Sequence, residues 1–417
     1  MDTAFNKISG EGKPRLFYGY VIAASAFFLQ ALGLGMFNSF GVFITPLMTE
    51  FEWSRASITG AISFAYVITA LNSILLGRLN DKFGPRLIMS VCGIFLAAGY
   101  LLMSRTWCYW SFFIFCCIFI GIGLGGTDVV LLSTIARWFI KKRGIMTGIV
   151  KVGTGAGMLA MPFFMNRLLL RYGWRNTLLI AGIIVLVLFF FFSQLLSRDP
   201  SQKGLAPDGL SPAHRGEGWH VENGLTFREA VKTRQFWTIA LTQTLFYTCA
   251  NTIQIHIIPH GIDLGLSSSS AASILSTLGA LSIAGRFIMG GAGDVFGNIK
   301  ALAFCFICLL TGLILLHFSH TFWTLTLFAV IHGFAHGGVF AVISPIIAEL
   351  FGTVSHGLIF GIVYFISSIG GALGPLTAGH IYDTSGSYEK FFMVLAGISL
   401  AGLLATFTLK PVEIKEN

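Results

Sequence analysis

The sequence predicts an all-α membrane protein with twelve transmembrane helices in two six-helix bundles related by pseudo-symmetry. Three observations support this fold class. The 417 residues are 55% hydrophobic and 11% charged, with a mean hydropathy of +0.79, whereas soluble domains are about 45–50% apolar and about 25% charged. The apolar runs are long and do not alternate in polarity, as the strands of a membrane barrel would. Finally, the two halves of the chain repeat each other at one fixed offset.

Each span needs about 20 apolar residues, so the chain has room for twelve helices. The first apolar run is too long for the core of a secretory signal peptide, and its helix is expected to stay in the mature protein. The apolar segments predict helices at 18–47, 57–79, 87–105, 109–137, 143–169, 175–197, 234–262, 268–292, 299–318, 322–351, 356–381 and 388–410.

Lysine and arginine predict the orientation. Of the 27 such residues, Lys151 and Arg286 lie deep in predicted spans. The others lie near or beyond the span ends, six on one side of the membrane and 19 on the side that carries both termini. Because cytoplasmic connections are enriched in these residues, both termini are expected to be cytoplasmic, in a multi-pass protein of the inner (plasma) membrane. This asymmetry explains the net charge of +9, so lipid is the expected partner and nucleic acid is not. The cysteines lie mostly within spans, and no disulfide framework or metal site is expected.

The longest polar segment divides the chain into three regions. It predicts an N-terminal six-helix bundle at 1–197, a cytoplasmic linker at 198–233 and a C-terminal six-helix bundle at 234–417. Duplicated halves joined by a polar loop are typical of secondary transporters, with the substrate site near mid-membrane. The halves match at an offset of 213 residues, at which Gly77, Asp81 and Gly84 recur as Gly290, Asp294 and Gly297, and Asn38 and Pro46 recur as Asn251 and Pro259.

Short motifs carry a family resemblance. GRLNDKFGPR, at 77–86, resembles the loop 2–3 signature of the major facilitator superfamily, and GGAGDVFGNIK, at 290–300, is its degenerate second copy. RWFIKKRGIMTGIVKVGTGAG, at 137–157, is similar to the start of helix five in monocarboxylate porters and oxalate/formate exchangers. FNSFGVF, at 37–43, and AGRFIMG, at 284–290, match helices one and eight of the same group. The resemblance spans essentially the whole chain and implies the major facilitator fold with alternating access.

Ionisable residues inside the spans are the site candidates, because each costs at least about 2.5–3.5 kcal/mol in the membrane. Arg286 is expected about 10 Å from the cytoplasmic end of the eighth helix, at 1.5 Å per residue. Its planar guanidinium suits a carboxylate. The resemblance to monocarboxylate porters, which use an arginine at this motif position, implies a substrate anchor. The alternatives are a structural ion pair and a side chain that reaches back to the lipid head groups.

Lys151 in the fifth helix and Asp128 in the fourth are expected at nearly the same depth, about 13–15 Å from the cytoplasmic loop. We therefore predict that they pair. The pair is either a buried structural salt bridge or a functional one, in which the substrate anion competes for Lys151 or Asp128 takes up a proton. Two buried cations against one carboxylate leave one positive charge, which suits a bound monoanion.

The segment IHGFAHGGVF places His332 and His336 four residues apart, on one face of the tenth helix. Histidine titrates near physiological pH, which fits proton coupling, but a packed, hydrogen-bonded histidine is the alternative. His336, which directly precedes a pair of glycines, is favoured as the lining residue. His256 and His260 are weaker candidates, because Pro259 suggests that they approach the outer end of the seventh helix.

Asn38, Asn251 and Tyr364 complete the candidate substrate-binding residues. The superfamily resemblance implies that the two asparagines line the cavity; hydrogen bonds between helices are the alternative. Tyr364 occupies the repeat position of Lys151 and is either a cavity-lining or an ordinary packed residue. Eukaryotic monocarboxylate porters carry lysine where Asn38 stands and aspartate where Ser282 stands, so their proton-handling pair is absent as such.

Asp81 and Asp294 are expected at the cytoplasmic ends of the second and eighth helices. The superfamily arrangement implies that each lies near the start of helix eleven or five, where a carboxylate meets the positive end of the helix dipole, worth about 0.3–1 kcal/mol. With Gly77, Gly84 and Arg86, they are predicted to form a conformational latch that is made when the cytoplasmic side is closed.

These residues lead to a functional hypothesis. The chain is expected to be a monomeric secondary active transporter of small monocarboxylates of the lactate, pyruvate or formate type, coupled to H+ and without a cofactor. The proton-coupling candidates are Asp128, His332 and His336. An exchanger of other organic anions or of dicarboxylates such as oxalate is the alternative, and a membrane sensor without transport is another. No clustered catalytic groups or nucleotide-binding loop point to an enzyme or an ATP-driven pump.

Overall fold

The computed structural model describes residues 17–209 and 224–410, and helices account for most of these residues. Within these ranges, extended pairing is limited to one isolated antiparallel bridge between Gly224 and Gly352. The all-α class predicted from the sequence is confirmed.

Twelve helices follow the order of the predicted spans, and we number them α1–α12. A 52-residue helix, Arg143–Gln194, contains two of them: Gly173, with φ 74°, divides it into α5 and α6. The others are α1 (Tyr18–Asn38), α2 (Arg55–Phe83), α3 (Pro85–Met103), α4 (Tyr109–Trp138), α7 (Arg234–Asp263), α8 (Ser268–Phe296), α9 (Asn298–His317), α10 (Phe322–Phe351), α11 (His356–Ser385) and α12 (Glu389–Thr406).

Ten helices in the described ranges are long and apolar enough to cross a membrane. One of the ten is Arg143–Gln194, which holds both α5 and α6. The remaining predicted span, α7, is 30 residues long and carries several threonines, glutamines and histidines among its apolar residues. The described ranges therefore contain a helix for each of the twelve predicted spans.

Two helices differ from the prediction. The first predicted span ends at residue 47, but the helical segment is longer. After α1 ends at Asn38, the chain continues through a 3-10 turn, Ser39–Phe43, into a short helix, Ile44–Phe51. α4 was predicted as one regular helix, but it contains a π-helical turn, Phe115–Ile120. It also opens into a non-helical turn at residues 126–128 before its last segment, Val129–Trp138. This break lies directly beside Asp128.

The helices pack as two bundles, α1–α6 and α7–α12, which meet chiefly where α2 packs on α11 and α5 packs on α8. We call the face at which α1 begins and α12 ends the termini face, and the other the opposite face. The α2–α3 and α8–α9 connections lie at the termini face. They turn at Gly84 (φ 82°) and Gly297 (φ 96°), a conformation that favours glycine.

The two bundles touch closely at the termini face. A methyl group at Gly77 would lie 2.2 Å from the carbonyl oxygen of Gly357, and one at Gly144 would lie 2.3 Å from that of Gly290. Among the described residues, the hydrogen bonds that join helices of the two bundles lie between this face and the depth of Lys151. The structure is therefore closed at the termini face.

The predicted linker is only partly described. It contains two short 3-10 turns, Pro200–Lys203 and Pro207–Gly209, and a short helix, Phe227–Ala230. The Asp208 carboxylate accepts hydrogen bonds from the backbone N–H groups of Ile140 and Lys141, at 3.0 and 2.8 Å. Several basic residues used to predict the orientation lie outside the described residues: Lys7, Lys13, Arg15, Arg215 and Lys415.

Candidate functional site

The polar centre of the molecule is built around one buried ion pair. Lys151 of α5 lies with its Nζ 2.7 Å from Oδ1 of Asp128, which directly precedes the last segment of α4. The two side chains are 5% and 17% exposed. The structure thus contains the pair predicted from the equal depth of the two residues.

A glutamine that the sequence analysis missed completes this network. Gln30 of α1 donates through Nε2 to Asp128 Oδ1 and to the Thr127 carbonyl oxygen, both at 2.8 Å. Its Oε1 accepts a hydrogen bond of 2.5 Å from the hydroxyl of Thr154 in α5. The turn at residues 126–128 frees the Thr127 carbonyl from the helical pattern, which lets Gln30 bind it. Three helices of one bundle are therefore joined through Gln30.

Arg286 of α8 is the second buried cation and is 6% exposed. Its Nη1 donates to the backbone carbonyl of Lys151 at 3.2 Å, across the interface between the bundles. It forms no salt bridge with any residue that the structure describes, and its Nε has no hydrogen-bond partner there. The structural ion pair considered from the sequence is absent from this region.

Phe340 of α10 lies against both cations. The Lys151 Nζ is 5.0 Å from the centroid of its ring, and the Arg286 Cζ is 5.9 Å from it. An aromatic face attracts a cation electrostatically, so this ring stabilises both positive groups. Phe340 was not predicted, because a phenylalanine in an apolar helix carries no distinctive sequence signal.

A small cavity of about 10 Å³, enough for a water-sized group, lies beside the ion pair. Polar groups from both bundles reach it, namely Asp128, Lys151, Gln243 and Tyr364. A second cavity shares Asp128 and Tyr364 with the first and is lined also by Tyr66 of α2. The remaining residues of the first cavity are mostly apolar or aromatic: Leu132, Tyr247, Phe340, Ile343, Phe360, Val363 and Ser367.

The two histidines of α10 have different surroundings. His336 is hydrogen-bonded on both ring nitrogens, to Gln254 of α7 at 2.8 Å and to the hydroxyl of Ser282 in α8 at 3.0 Å. His332 is fully buried, and neither of its nitrogens has a hydrogen-bond partner among the described residues. His336 therefore links α7, α8 and α10, and its partner Ser282 lies one helical turn before Arg286. His332 makes only packing contacts with the described residues.

The two asparagines do not join this centre. Asn38 donates to the Leu34 carbonyl of its own helix and accepts from the Tyr66 hydroxyl at 3.2 Å. Asn251 donates to the Gly371 carbonyl of α11 at 3.2 Å. Like Arg286 and His336, neither is among the described residues that line the two cavities, and neither contacts the ion pair or Arg286. His256 also lies outside this centre: its ring is hydrogen-bonded to the Tyr388 hydroxyl and the Pro375 carbonyl, both at 3.1 Å.

Asp81 and Asp294 cap helices of the other bundle at the termini face. Asp81 accepts hydrogen bonds from the N–H groups of Gly357 and Leu358, at 3.1 and 2.9 Å, at the start of α11. Asp294 accepts from those of Gly144 and Ile145, at 2.6 and 2.8 Å, at the start of α5. The carboxylates thus meet unsatisfied donors at the positive ends of two helices.

The basic residue of this arrangement differs from the predicted one. Arg137, at the end of α4, forms a 2.9 Å salt bridge with Asp81 and also donates to the Thr353 carbonyl of the other bundle. Arg86, which was predicted to belong to the latch, instead donates to Gln194 at 2.7 Å within its own bundle. Arg86 follows Gly84 at the start of α3, and its side chain is therefore carried toward α6 and away from the interface.

Comparison with known proteins assigns the fold to a family. A model of the Major Facilitator Superfamily matches residues 23–290 and 244–417. The chain belongs to the Major Facilitator Superfamily. It is 29% identical over 394 residues to the Bos taurus protein named Monocarboxylate transporter 13, which covers 94% of this chain and 89% of that protein.

Two further matches agree with this superfamily assignment. The Homo sapiens protein named Monocarboxylate transporter 7 is 24% identical over 451 residues, which cover 93% of this chain and 85% of that protein. The crystal structure of the human organic anion transporter MFSD10 aligns with a TM-score of 0.73 at 16% identity, over 93% of this chain and 99% of that one. This last similarity concerns the fold. The chain is thus a superfamily transporter related to proteins named monocarboxylate transporters.

Proposed function

We propose that this chain is a secondary active transporter that moves a small monocarboxylate together with a proton by alternating access. Related proteins are named monocarboxylate transporters. The buried charges carry the proposal: two cations, Arg286 and Lys151, face one carboxylate, Asp128. An unbalanced positive charge in an apolar surrounding is costly, and a bound monoanion balances it.

Arg286 is the proposed anchor of the substrate carboxylate. Its guanidinium has an unpartnered Nε, whereas the Lys151 ammonium already has a carboxylate at 2.7 Å. A planar fork binds the two oxygens of a carboxylate at once. Lys151 then supplies the second positive group, and Phe340 keeps the two cations close.

Asp128 is the proposed proton acceptor. When the anion binds near Lys151, the carboxylate of Asp128 loses part of its stabilising partner, and protonation keeps the site electrically balanced. Gln30 holds Asp128 in place during this exchange through its hydrogen bonds at 2.8 Å. His336 is a second candidate, because its ring contacts Ser282, one helical turn from Arg286.

Asp81, Asp294, Gly77, Gly84 and Arg137 are proposed to hold the termini face closed. The distribution of lysine and arginine supports a cytoplasmic location for that face, in the plasma membrane. Opening requires both carboxylates to leave the starts of α5 and α11. The transporter is proposed to work as a monomer, since each step uses residues of one chain.

Uptake into proteoliposomes tests this function. We expect radiolabelled lactate or pyruvate to accumulate when the interior is more alkaline than the medium, and to accumulate much less without the gradient. Uptake that ignores the pH gradient but rises with a preloaded anion would support exchange. The absence of flux for every carboxylate tested would contradict transport and favour a sensor.

A dicarboxylate is the second candidate substrate. The observation in its favour is that Arg286 and Lys151 approach each other across the interface, with Arg286 Nη1 3.2 Å from the Lys151 carbonyl oxygen. If Asp128 is protonated, both cations are free to bind one carboxylate each. Competition of oxalate against lactate in the same vesicles separates the two candidates, because only a dicarboxylate carrier binds oxalate more tightly.

A further inference from the structure

Gln243 of α7 is a buried polar residue that the proposed mechanism does not use. It lines the cavity that contains Asp128 and Lys151, and it is 2% exposed. Its amide Nε2 has no hydrogen-bond partner among the described residues. Leaving such a donor unpaired costs about 1–3 kcal/mol. A donor kept at this cost inside a cavity points to a ligand that accepts its hydrogen bond.

The internal repeat shows which hydrogen-bond partners Gln243 lacks. At the 213-residue offset, Gln243 is the counterpart of Gln30, whose amide is fully hydrogen-bonded. The acceptor Asp128 corresponds to Ala341 in the other bundle, which has no polar side chain. The Thr127 carbonyl lies in the non-helical turn of α4, whereas its counterpart at Phe340 lies within the continuous helix α10.

The third partner has also been lost. Thr154, which donates to Gln30, corresponds to Ser367 of α11. Ser367 lines the cavity, but its hydroxyl donates to the Val363 carbonyl of its own helix at 2.6 Å. The C-terminal bundle therefore keeps the glutamine of this network, and none of its described residues accepts a hydrogen bond from the Gln243 Nε2.

We propose that the amide of Gln243 donates a hydrogen bond to a substrate oxygen carried on the carbon next to the carboxylate. This inference rests on the proposed function. Two cations, Arg286 and Lys151, serve the two carboxylate oxygens, which leaves a neutral amide for a neutral acceptor. Aliphatic lining residues such as Ile343 and Val363 then cover the alkyl part. Gln243 thus selects 2-hydroxy and 2-oxo acids over unsubstituted ones.

A matched pair of acids tests the selection. 2-Hydroxypropanoate and 2-methylpropanoate have the same shape, and a methyl group replaces the hydroxyl. Wild-type protein in proteoliposomes is expected to take up the hydroxy acid at least about tenfold more efficiently, because a buried donor is left unpaired by the other acid. Gln243→Met keeps the length of the side chain and removes the donor. It is expected to reduce this preference about tenfold, chiefly by lowering uptake of the hydroxy acid.

The preference is a ratio measured on one preparation, so a lower folded fraction does not change it. Gln30→Met is the matched control: it breaks the bonds to Asp128 and is expected to lower uptake of both acids by a similar factor. Equal uptake of the two acids by wild-type protein, or an unchanged ratio in Gln243→Met, would overturn the inference and leave monocarboxylate transport standing. Wild-type protein that moves other monocarboxylates but neither of these acids would overturn this inference alone. Wild-type protein that moves no monocarboxylate would overturn the proposed function and this inference with it.

Discussion

The two bundles arise from one repeated sequence, but their centres are built differently. In the N-terminal bundle, Gln30, Asp128, Lys151 and Thr154 form a closed set of hydrogen bonds. In the C-terminal bundle, the corresponding positions hold Gln243, Ala341, Tyr364 and Ser367, and the glutamine amide is unpartnered among the described residues. At these four positions, the N-terminal bundle pairs its polar groups, whereas the C-terminal bundle leaves the Gln243 amide nitrogen unpaired among the described residues.

The two bundles differ more at their centres than at the termini face. The peripheral contacts at the termini face remain nearly symmetrical, since Asp81 and Asp294 cap corresponding helices with the same two-donor geometry. The central positions have diverged, and these are the positions where the proposed function places contact with the substrate. Symmetry is thus retained at the capping contacts between the bundles and lost at the centre, where the proposed substrate site lies.

The largest expected effect comes from breaking the closed network of the N-terminal bundle. Asp128→Asn leaves Lys151 as an uncompensated buried cation, so we expect the free energy of unfolding to fall by about 3–5 kcal/mol. Thermal unfolding of the purified protein in detergent measures this change. The double variant Asp128→Asn with Lys151→Met removes both charges and is expected to recover much of the loss.

The exposed pair of Glu50 and Arg175 provides the control for this comparison. Its side chains are 43% and 41% exposed, so Glu50→Gln is expected to change stability by at most about 1 kcal/mol. A double Asp128 and Lys151 variant that is no more stable than the single one would argue against a mutually compensating pair.

Arg286 has Ser73 as its repeat counterpart, and the two differ in their expected contribution to transport. Arg286→Lys keeps the charge but loses the planar fork. We expect uptake efficiency to fall about 100-fold, equivalent to about 2.7 kcal/mol. Ser73 donates to the Gly361 carbonyl at 3.1 Å, and Ser73→Ala is expected to reduce uptake less than about tenfold. Normal uptake by Arg286→Lys would refute its role as the anchor.

The two capping carboxylates are nearly symmetrical, but only Asp81 has a salt bridge, to Arg137, in the described structure. Asp81→Asn is therefore expected to shift the equilibrium toward opening of the termini face by about 1.5–3 kcal/mol. Asp294→Asn is expected to shift it by about 1 kcal/mol. The rate at which a thiol reagent labels a cysteine introduced at Leu132 reports this opening.

Arg86→Gln is the control for the latch comparison, since Arg86 bonds Gln194 within its own bundle. It is expected to leave the labelling rate unchanged. A shift with Arg86→Gln as large as that with Asp81→Asn would restore the assignment made from the sequence.

The smallest effect is expected at His332, whose repeat counterpart is Phe119. Both ring nitrogens of His332 are buried without a partner in the described structure, so His332→Phe is expected to raise the free energy of unfolding by up to about 1 kcal/mol. His336→Phe loses two hydrogen bonds and is expected to lower it by about 1–3 kcal/mol. If His332→Phe abolishes uptake driven by a pH gradient, His332 carries the proton, and the proposal that Asp128 or His336 does so is wrong.

The sequence was informative where a residue type is rare in its surroundings. Arg286, Lys151 and Asp128 stood out because ionisable residues are costly in apolar helices, and the repeat identified Asp81 and Asp294. Gln30, Gln243 and Phe340 did not stand out, since an amide or an aromatic ring in a helix has many ordinary roles. Their importance depends on which neighbours the fold brings to them.

The sequence also did not predict the local irregularities of the backbone. The gap between α5 and α6 was predicted, but its reduction to the single residue Gly173 was not. The turn at residues 126–128 follows a run of glycines that fits a helix as well as a break. Arg137 and Arg86 lie at different connections of the termini face, and only the direction in which each helix end points decides which of them reaches Asp81.

The π-helical turn Phe115–Ile120 sets the angular phase of α4. Each residue of an α-helix advances by about 100°, and a π turn absorbs one extra residue. The part of α4 after this turn is therefore rotated by about that angle relative to an uninterrupted helix. Upstream, Trp110 is 68% exposed on the outer surface, while downstream Asp128 faces Lys151. The extra residue in this turn, together with the turn at residues 126–128, thus sets the direction in which the only carboxylate of the described centre points.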